Sequence, residues 1–249
     1  MTMWSERHLD SNRGRPYFLG EAGYRRWVLY YPVALFLKSP LALWGLLFLA
    51  LAKGKLNSDE GIFLLFPALF VLFYFTFFQR LQLGVRFLLP MLPFVYVFLG
   101  RLCSWEAHQT SPVKRMLIPA LCAWFVLSSL SYFPHYVSYF NECIGPRVNA
   151  YRYLADSNLD WGQNQKDLER YLADHTGEKI SVNPKMPVTG KILVGANHLV
   201  GLYDPDQFRW LRDHYQPVGH VSYSWLLFDV PPRDIPGPND KRKGLGAPG

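Results

Sequence analysis

Apolar positions in this chain fall into long uninterrupted runs rather than into the alternation of a half-buried strand. Ile62–Phe78 and Met116–Phe133 carry no charge over 17 and 18 residues. Two further apolar stretches, Trp27–Ala52 and Phe87–Leu102, flank the first of these. A helix that crosses a hydrocarbon core needs about 20 mostly apolar residues, with about 17 as the lower limit. The run lengths therefore predict an all-α membrane region of four spans over residues 27–133. The expected spans are 40–52, 62–78, 87–102 and 116–133.

The first stretch is interrupted by Lys38-Ser39-Pro40. One straight span would set Lys38 near the bilayer centre, at about 2.5–3.5 kcal/mol on insertion scales. Pro40 also pushes Ser39 away from helical geometry. This predicts an interfacial helix over 24–37, a turn carrying Lys38, and a short span after it. A kinked helix with a snorkelling lysine is the other reading.

After Pro134 the pattern changes. Tyr132, Phe133, Tyr136, Tyr139 and Phe140 form an aromatic belt of the kind found at a membrane interface. Gln163–Ala173 reads as an amphipathic helix with Leu168, Tyr171 and Leu172 inward. Strands are expected at Lys179–Asn183, Lys191–Ala196 and Ser224–Val230, with a helix over Asp206–His214. This order predicts a small α+β domain over 134–230. An N-terminal segment, 1–26, and a Gly/Pro-rich tail, 231–249, complete the chain.

Four spans put both termini on one side. The loops 53–60 and 101–115 then share a face and carry Lys53, Lys55, Arg101, Lys114 and Arg115. The positive-inside rule makes that face cytoplasmic, and the α+β domain extracytoplasmic. Met1–Arg26 has no apolar centre and does not read as a signal peptide.

The net charge of +7 does not change this picture. The basic residues are scattered, as expected of loops near anionic headgroups, and nucleic acid is not an expected partner. The three cysteines sit in unrelated contexts and form no disulfide framework. No metal-ligand spacing, phosphate-binding glycine loop or Gly-x-Ser-x-Gly elbow occurs, so no cofactor and no metal are expected.

Two groups of residues carry candidate chemistry. The expected topology gathers Lys38, Arg80 and Arg86 on the outer membrane face. Their charges suit a lipid phosphate, Arg above all. Ordinary contact with lipid headgroups explains them equally well. Two prolines, Pro90 and Pro93, follow Arg86 and free backbone groups that need protein or a polar cavity as partner. This predicts that Lys38 and Arg86 face one polar cavity near the second group, Asp156, Asp160, Trp161 and Gln163. That group is packed into eight residues, Asp156-Ser-Asn-Leu-Asp-Trp-Gly-Gln163. Two carboxylates beside an indole suit a sugar face. Asp160 reads equally as a helix N-terminal carboxylate held by the dipole. His135, in the aromatic belt, is a minor candidate.

Several runs together resemble the membrane glycosyltransferases that use polyprenyl-phosphate sugars, the superfamily of protein O-mannosyltransferases and lipid A aminoarabinose transferases. The runs are Tyr17-Phe-Leu-Gly-Glu21, Tyr30-Tyr-Pro-Val-Ala-Leu-Phe-Leu-Lys-Ser-Pro40, Leu83-Gly-Val-Arg-Phe-Leu-Leu-Pro-Met-Leu-Pro93, Tyr136-Val-Ser-Tyr-Phe-Asn-Glu142 and the Asp156–Gln163 stretch. The match is to the C-terminal half of such enzymes. It implies sugar transfer from a polyprenyl-phosphate carrier at the outer face of a cell inner membrane. It also implies that Lys38, Arg80 and Arg86 bind the lipid phosphate, and that Asp156, Asp160, Trp161 and Gln163 shape the acceptor side or brace the domain. In the family the catalytic carboxylate lies in a first extracytoplasmic loop that has no counterpart in this sequence. The chain is therefore expected not to transfer sugar alone, and an upstream catalytic half is an expected partner. The alternative is a non-catalytic membrane subunit that packs against partner proteins. A transporter is disfavoured, since no intramembrane charge pair or inverted repeat is visible.

Overall fold

Pro40 ends one helix and starts another. In the computed structural model, which describes residues 16–23, 26–53, 59–79, 82, 84–103 and 112–232, the first helix (α1, Tyr30–Leu37) stops before Lys38 and the second (α2, Leu41–Lys53) begins after Pro40. The two are bent by 106°. Arg80, most of the expected 1–26 segment, parts of the 53–60 and 101–115 loops, and nearly all of the 231–249 tail lie outside the described residues.

The carbonyls freed by this break are met from far along the chain. Asn141 donates its side-chain N–H groups to the carbonyls of Phe36 (2.6 Å) and Ser39 (3.1 Å). Its backbone N–H donates to Leu37 O at 2.8 Å. One asparagine, 1 % exposed, thus closes the C-terminal end of α1, where an α-helix leaves carbonyls without intrahelical partners.

Before α1, Tyr17–Phe18 (β1) and Glu21–Ala22 (β2) form a minimal hairpin. Leu19 and Gly20 turn it with φ of 49° and 91°, the paired positive φ of a tight hairpin turn. The hairpin is anchored by Leu19 N–H on Tyr153 O at 2.8 Å.

After α2 come α3 (Asp59–Phe77), a 3₁₀ segment (Val85–Met91) running into α4 (Leu92–Leu99), and α5 (Pro112–Leu130). The apolar runs are helical, but they do not make four spans. One described helix, Val85–Cys103, is long and apolar enough to cross a membrane. The bent α1–α2 pair would count as a second only if it were a single broken segment. The apolar parts of the other two helices, Gly61–Phe77 and Arg115–Leu130, are shorter, at or below the lower limit for a span. The expected all-α region of four spans is therefore corrected. The reason is physical. Run length counts every apolar residue, whereas a helix can end inside a run: α5 stops at Leu130, inside the run that reaches Phe133 and ahead of Pro134. The residues beyond it pack in turns instead of extending the helix.

Short 3₁₀ turns carry the chain from α5 to α6 (Gln165–Asp174). Then follow β3 (Ile180–Val182), β4 (Gly190–Gly195), α7 (Ala196–Leu199), α8 (Arg209–His214), β5 (Gly219–Val221) and β6 (Trp225–Val230). The strands order as β3-β4-β6-β5, with β3 parallel to β4 and the other pairs antiparallel. Leu193 pairs with Leu227, and Gly195 with Trp225. In β6, Leu226, Phe228 and Val230 are fully buried while Asp229 is exposed, the period of two that a sheet imposes.

The sheet and the helices share a core. Tyr30, Tyr31, Leu88 and Met91 belong to one buried cluster with Leu154, Leu159, Leu226 and Phe228. The link between them is the chain from Ala155 to Gln165, and it holds the candidate site.

Candidate functional site

The Asp156–Gln163 stretch is a self-braced loop. Asp156 takes a φ of 55°, a left-handed conformation tolerated by Asp and Asn more than by most residues. Its carbonyl accepts the backbone N–H groups of Leu159 and Asp160, both at 2.9 Å. The Asp160 carboxylate accepts from Gly162 N–H at 2.9 Å, an Asx turn. This replaces the expected helix-dipole role, because α6 begins only at Gln165. Trp161 folds back so that its indole N–H donates to Ser157 O at 2.8 Å. Gln163 braces the turn. Its Oε1 accepts from Trp161 N–H at 2.6 Å, and its Nε2 donates to Leu159 O at 3.3 Å.

From below, Asn158 locks this loop to the helices. It is 1 % exposed. Its Nδ2 donates to the Tyr30 hydroxyl at 2.9 Å, and its Oδ1 accepts from Val85 N–H at 3.0 Å. The neighbouring Arg86 is thereby delivered to the loop. Its guanidinium lies 4.4 Å from the centroid of the Trp161 ring and 5.1 Å from that of Phe87.

Asn197, at the start of α7, ties the loop to the sheet. Its Oδ1 accepts from Asp156 N–H at 2.8 Å, and its Nδ2 donates to Asp160 O at 3.3 Å. Asn183, at the end of β3, accepts Gly195 N–H on its Oδ1 at 3.0 Å.

These parts border a cleft of about 630 Å³ lined by Arg86 and, from the loop, by Asp156, Ser157, Asp160, Trp161 and Gly162. Gln165, Asn183, Gly195, Asn197, His198, Tyr203 and Trp225 also line it. Four of the residues singled out in the sequence, Arg86, Asp156, Asp160 and Trp161, thus share one cleft. Lys38 is set apart. Its ammonium donates to the carbonyls of Val137 (2.7 Å) and Asn158 (2.6 Å) and rests 4.5 Å from the Phe140 ring centroid. It holds the loop in place and is not among the lining residues, so the shared Lys38–Arg86 cavity does not form. His135 is also remote from the cleft. Its Nδ1 lies 3.2 Å from Asn164 Oδ1 and 3.7 Å from Asp167.

The sequence reading missed Asn183, Asn197, His198, Tyr203 and Trp225. A signal existed in Gly195-Ala-Asn-His198, where polar residues follow directly on the apolar run Ile192-Leu-Val194.

The electrostatics of the cleft are mixed. Burial raises the pKa of Asp156, opposed by the Ser157 N–H and Arg86. Burial likewise raises that of Asp160, opposed by the Gly162 N–H and His198. A carboxyl whose folded pKa exceeds its unfolded one binds its proton first in the folded chain. Its contribution to stability therefore rises as pH falls through the folded pKa. Asp156→Asn is expected to raise the melting temperature at pH 7, because the amide escapes the burial penalty and tolerates the same φ. The gain should shrink steadily as pH is lowered below the folded pKa. Thermal unfolding at a series of pH values checks this, and a lower melting temperature for D156N at pH 7 would contradict it.

Comparison of the chain with protein-family models, with curated proteins and with solved structures finds no match.

Proposed function

We propose that this chain forms the lipid-phosphate- and headgroup-binding portion of a membrane glycosyltransferase whose donor is a sugar linked to a lipid phosphate. One observation carries the reading. Arg86 is the second residue of Val85–Cys103, the described helix suited to a membrane, and its guanidinium opens onto the cleft. None of its N–H donors is hydrogen-bonded among the described residues, and it rests on an aromatic face. A ligand with an apolar chain, a phosphate and a hydroxyl-rich head fits this order of surfaces. The chain would follow the helix, the phosphate would meet Arg86, and the head would enter among Asp156, Asp160, Asn183, Asn197 and Trp161. Guanidinium forks suit phosphate oxygens, and aromatic faces with carboxylates suit a sugar. In this reading Val85–Cys103 sits in a cell inner membrane with the cleft on its extracytoplasmic side, and an upstream catalytic half is a partner.

A second reading, a non-catalytic subunit that packs against membrane partners, draws support from α3. Phe66, Phe70, Tyr74 and Phe78 stack in sequence along its exposed side, with ring centroids 6.2, 6.4 and 5.9 Å apart.

Binding of undecaprenyl phosphate and of undecaprenol to the full chain in nanodiscs tests the first reading. The phosphate should be preferred. Arg86→Leu should weaken its binding about 10- to 100-fold, the loss of a charge-assisted contact of about 1.5–3 kcal/mol. Arg86→Lys should restore part of it, since the fork is lost but the charge kept. Equal binding of phosphate and alcohol by the unaltered chain would refute this reading and favour the subunit.

A further inference from the structure

Arg147 and Arg86 each lie close over an aromatic ring, and they differ in what their N–H groups do. The Arg147 guanidinium stands 4.1 Å from the Tyr132 ring centroid and spends its fork on the protein. It donates to Ser131 O at 2.8 Å, to Ser131 Oγ at 2.7 Å and to the Tyr223 hydroxyl at 3.1 Å. The Arg86 guanidinium stands 4.4 Å from the Trp161 ring centroid, and its fork is not spent on any described residue. We propose that Trp161 is the positioning residue of the phosphate contact: its ring fixes the Arg86 guanidinium while leaving the N–H donors open to phosphate oxygens. This rests on the reading of the cleft as a site for a lipid-linked phosphate. It gives Trp161 a role at the phosphate beside the one at the head group.

An exposed arginine has many rotamers, and a ligand that must order them binds less tightly. Arg86 is exposed, yet two rings hold its head, and both rings are anchored. Phe87, 5.1 Å from the guanidinium, stacks on Phe75 at 5.5 Å. Phe75 in turn packs against the buried Tyr31 at 5.6 Å. This chain of rings ties one contact to the helical core. Trp161 is tied to the loop instead. Its indole N–H donates to Ser157 O at 2.8 Å, and its backbone N–H to Gln163 Oε1 at 2.6 Å. The helix start and the loop thus order the same side chain from two parts of the chain.

The choice of an aromatic brace matters for the ligand. A cation–π contact works through the ring's quadrupole. It consumes no N–H donor and leaves the positive charge in place. A carboxylate brace would use donors and cancel the charge. Asp156 is near enough for Arg86 to oppose the burial that raises the Asp156 pKa, but no ion pair joins Arg86 to a carboxylate among the described residues. The guanidinium is therefore ordered, charged and open, the state in which a planar fork meets phosphate oxygens.

Undecaprenyl phosphate and undecaprenol are titrated onto the full chain in nanodiscs, as the unaltered protein, Trp161→Leu and Trp161→Phe, and again with Arg86→Leu added to each. Trp161 is 56 % exposed, so neither replacement opens a cavity in the core. Trp161→Leu should weaken phosphate binding about 2- to 5-fold, the effect of an exposed cation–π contact, and leave undecaprenol binding unchanged. Trp161→Phe should bind more nearly as the unaltered chain does, because the phenyl ring keeps a face for the guanidinium although both variants lose the bond to Ser157. In the Arg86→Leu background, Trp161→Leu should change phosphate binding less than about 1.5-fold, since a residue that acts through another is not additive with it.

Unchanged phosphate binding by Trp161→Leu overturns the assignment. Equal losses in Trp161→Leu and Trp161→Phe also overturn it, because they would place the effect in the Ser157 bond. The same loss with Arg86 already replaced overturns it as well, since Trp161 would then act independently of the guanidinium. Equal binding of phosphate and alcohol by the unaltered chain overturns instead the reading of the cleft on which the assignment rests.

Discussion

Replacing Asn158 with leucine is expected to destabilise the protein by about 2–5 kcal/mol, at near-constant side-chain volume. The asparagine holds three parts of the chain at one point. Its Nδ2 reaches the Tyr30 hydroxyl and its Oδ1 the Val85 N–H, while its backbone carbonyl receives the Lys38 ammonium. Leucine keeps the last contact and removes the first two. Two buried polar groups then lose a partner, at about 1–3 kcal/mol each. A domain's whole stability is only about 5–15 kcal/mol. Denaturant unfolding of the full chain in detergent checks the expectation. A midpoint shift worth less than about 1 kcal/mol would show that water reaches these groups. Asn158→Asp should also destabilise, because it keeps the acceptor for Val85 but loses the donor to Tyr30 and buries a charge.

Gly84→Ala should act on stability and on ligand binding together. Gly84 has φ 111° and ψ 166°, a region essentially reserved for glycine and costing other residues about 1–3 kcal/mol. A Cβ there would also stand 2.5 Å from Ser157 Oγ and 3.3 Å from Asn158 Oδ1. Neither neighbour can swing far, since Ser157 is short and Asn158 is bonded on both sides. The relief available is to move the backbone before Val85, and this draws Arg86 away from Trp161. The expected result is a lower unfolding midpoint and a loss of undecaprenyl phosphate binding approaching that of Arg86→Leu. A G84A variant with unchanged midpoint and binding would mean that the loop and the helix start are less tightly coupled than the geometry requires.

Both substitutions lie at the seam between the apolar helices and the sheet, and both illustrate what local sequence could and could not show. The break at Lys38-Ser39-Pro40 was legible because proline acts on its immediate neighbours. So were the strands around 180–182, 190–195 and 225–230, where apolar and β-branched residues are bounded by turn residues. Arg86, Asp156, Asp160 and Trp161 stood out as polar or amphipathic residues beside apolar runs. Their clustering in one cleft depends on Asn158 and Asn197, whose partners are 128, 73, 41 and 37 positions away. No periodicity or composition encodes pairings at such range.

The sequence by itself determined which segments are apolar and helical, where proline ends them, and which polar residues sit beside them. Those properties follow from each residue's own side chain and nearest neighbours. The tertiary structure decided how long each helix runs, and so reduced four expected spans to one helix of sufficient length among the described residues. It turned Lys38 from a candidate ligand into a brace between backbone carbonyls, and it brought His198 into the same cleft as Asp160. Each of these outcomes depends on which distant groups satisfy a hydrogen bond or fill a space, a choice made only when the chain packs.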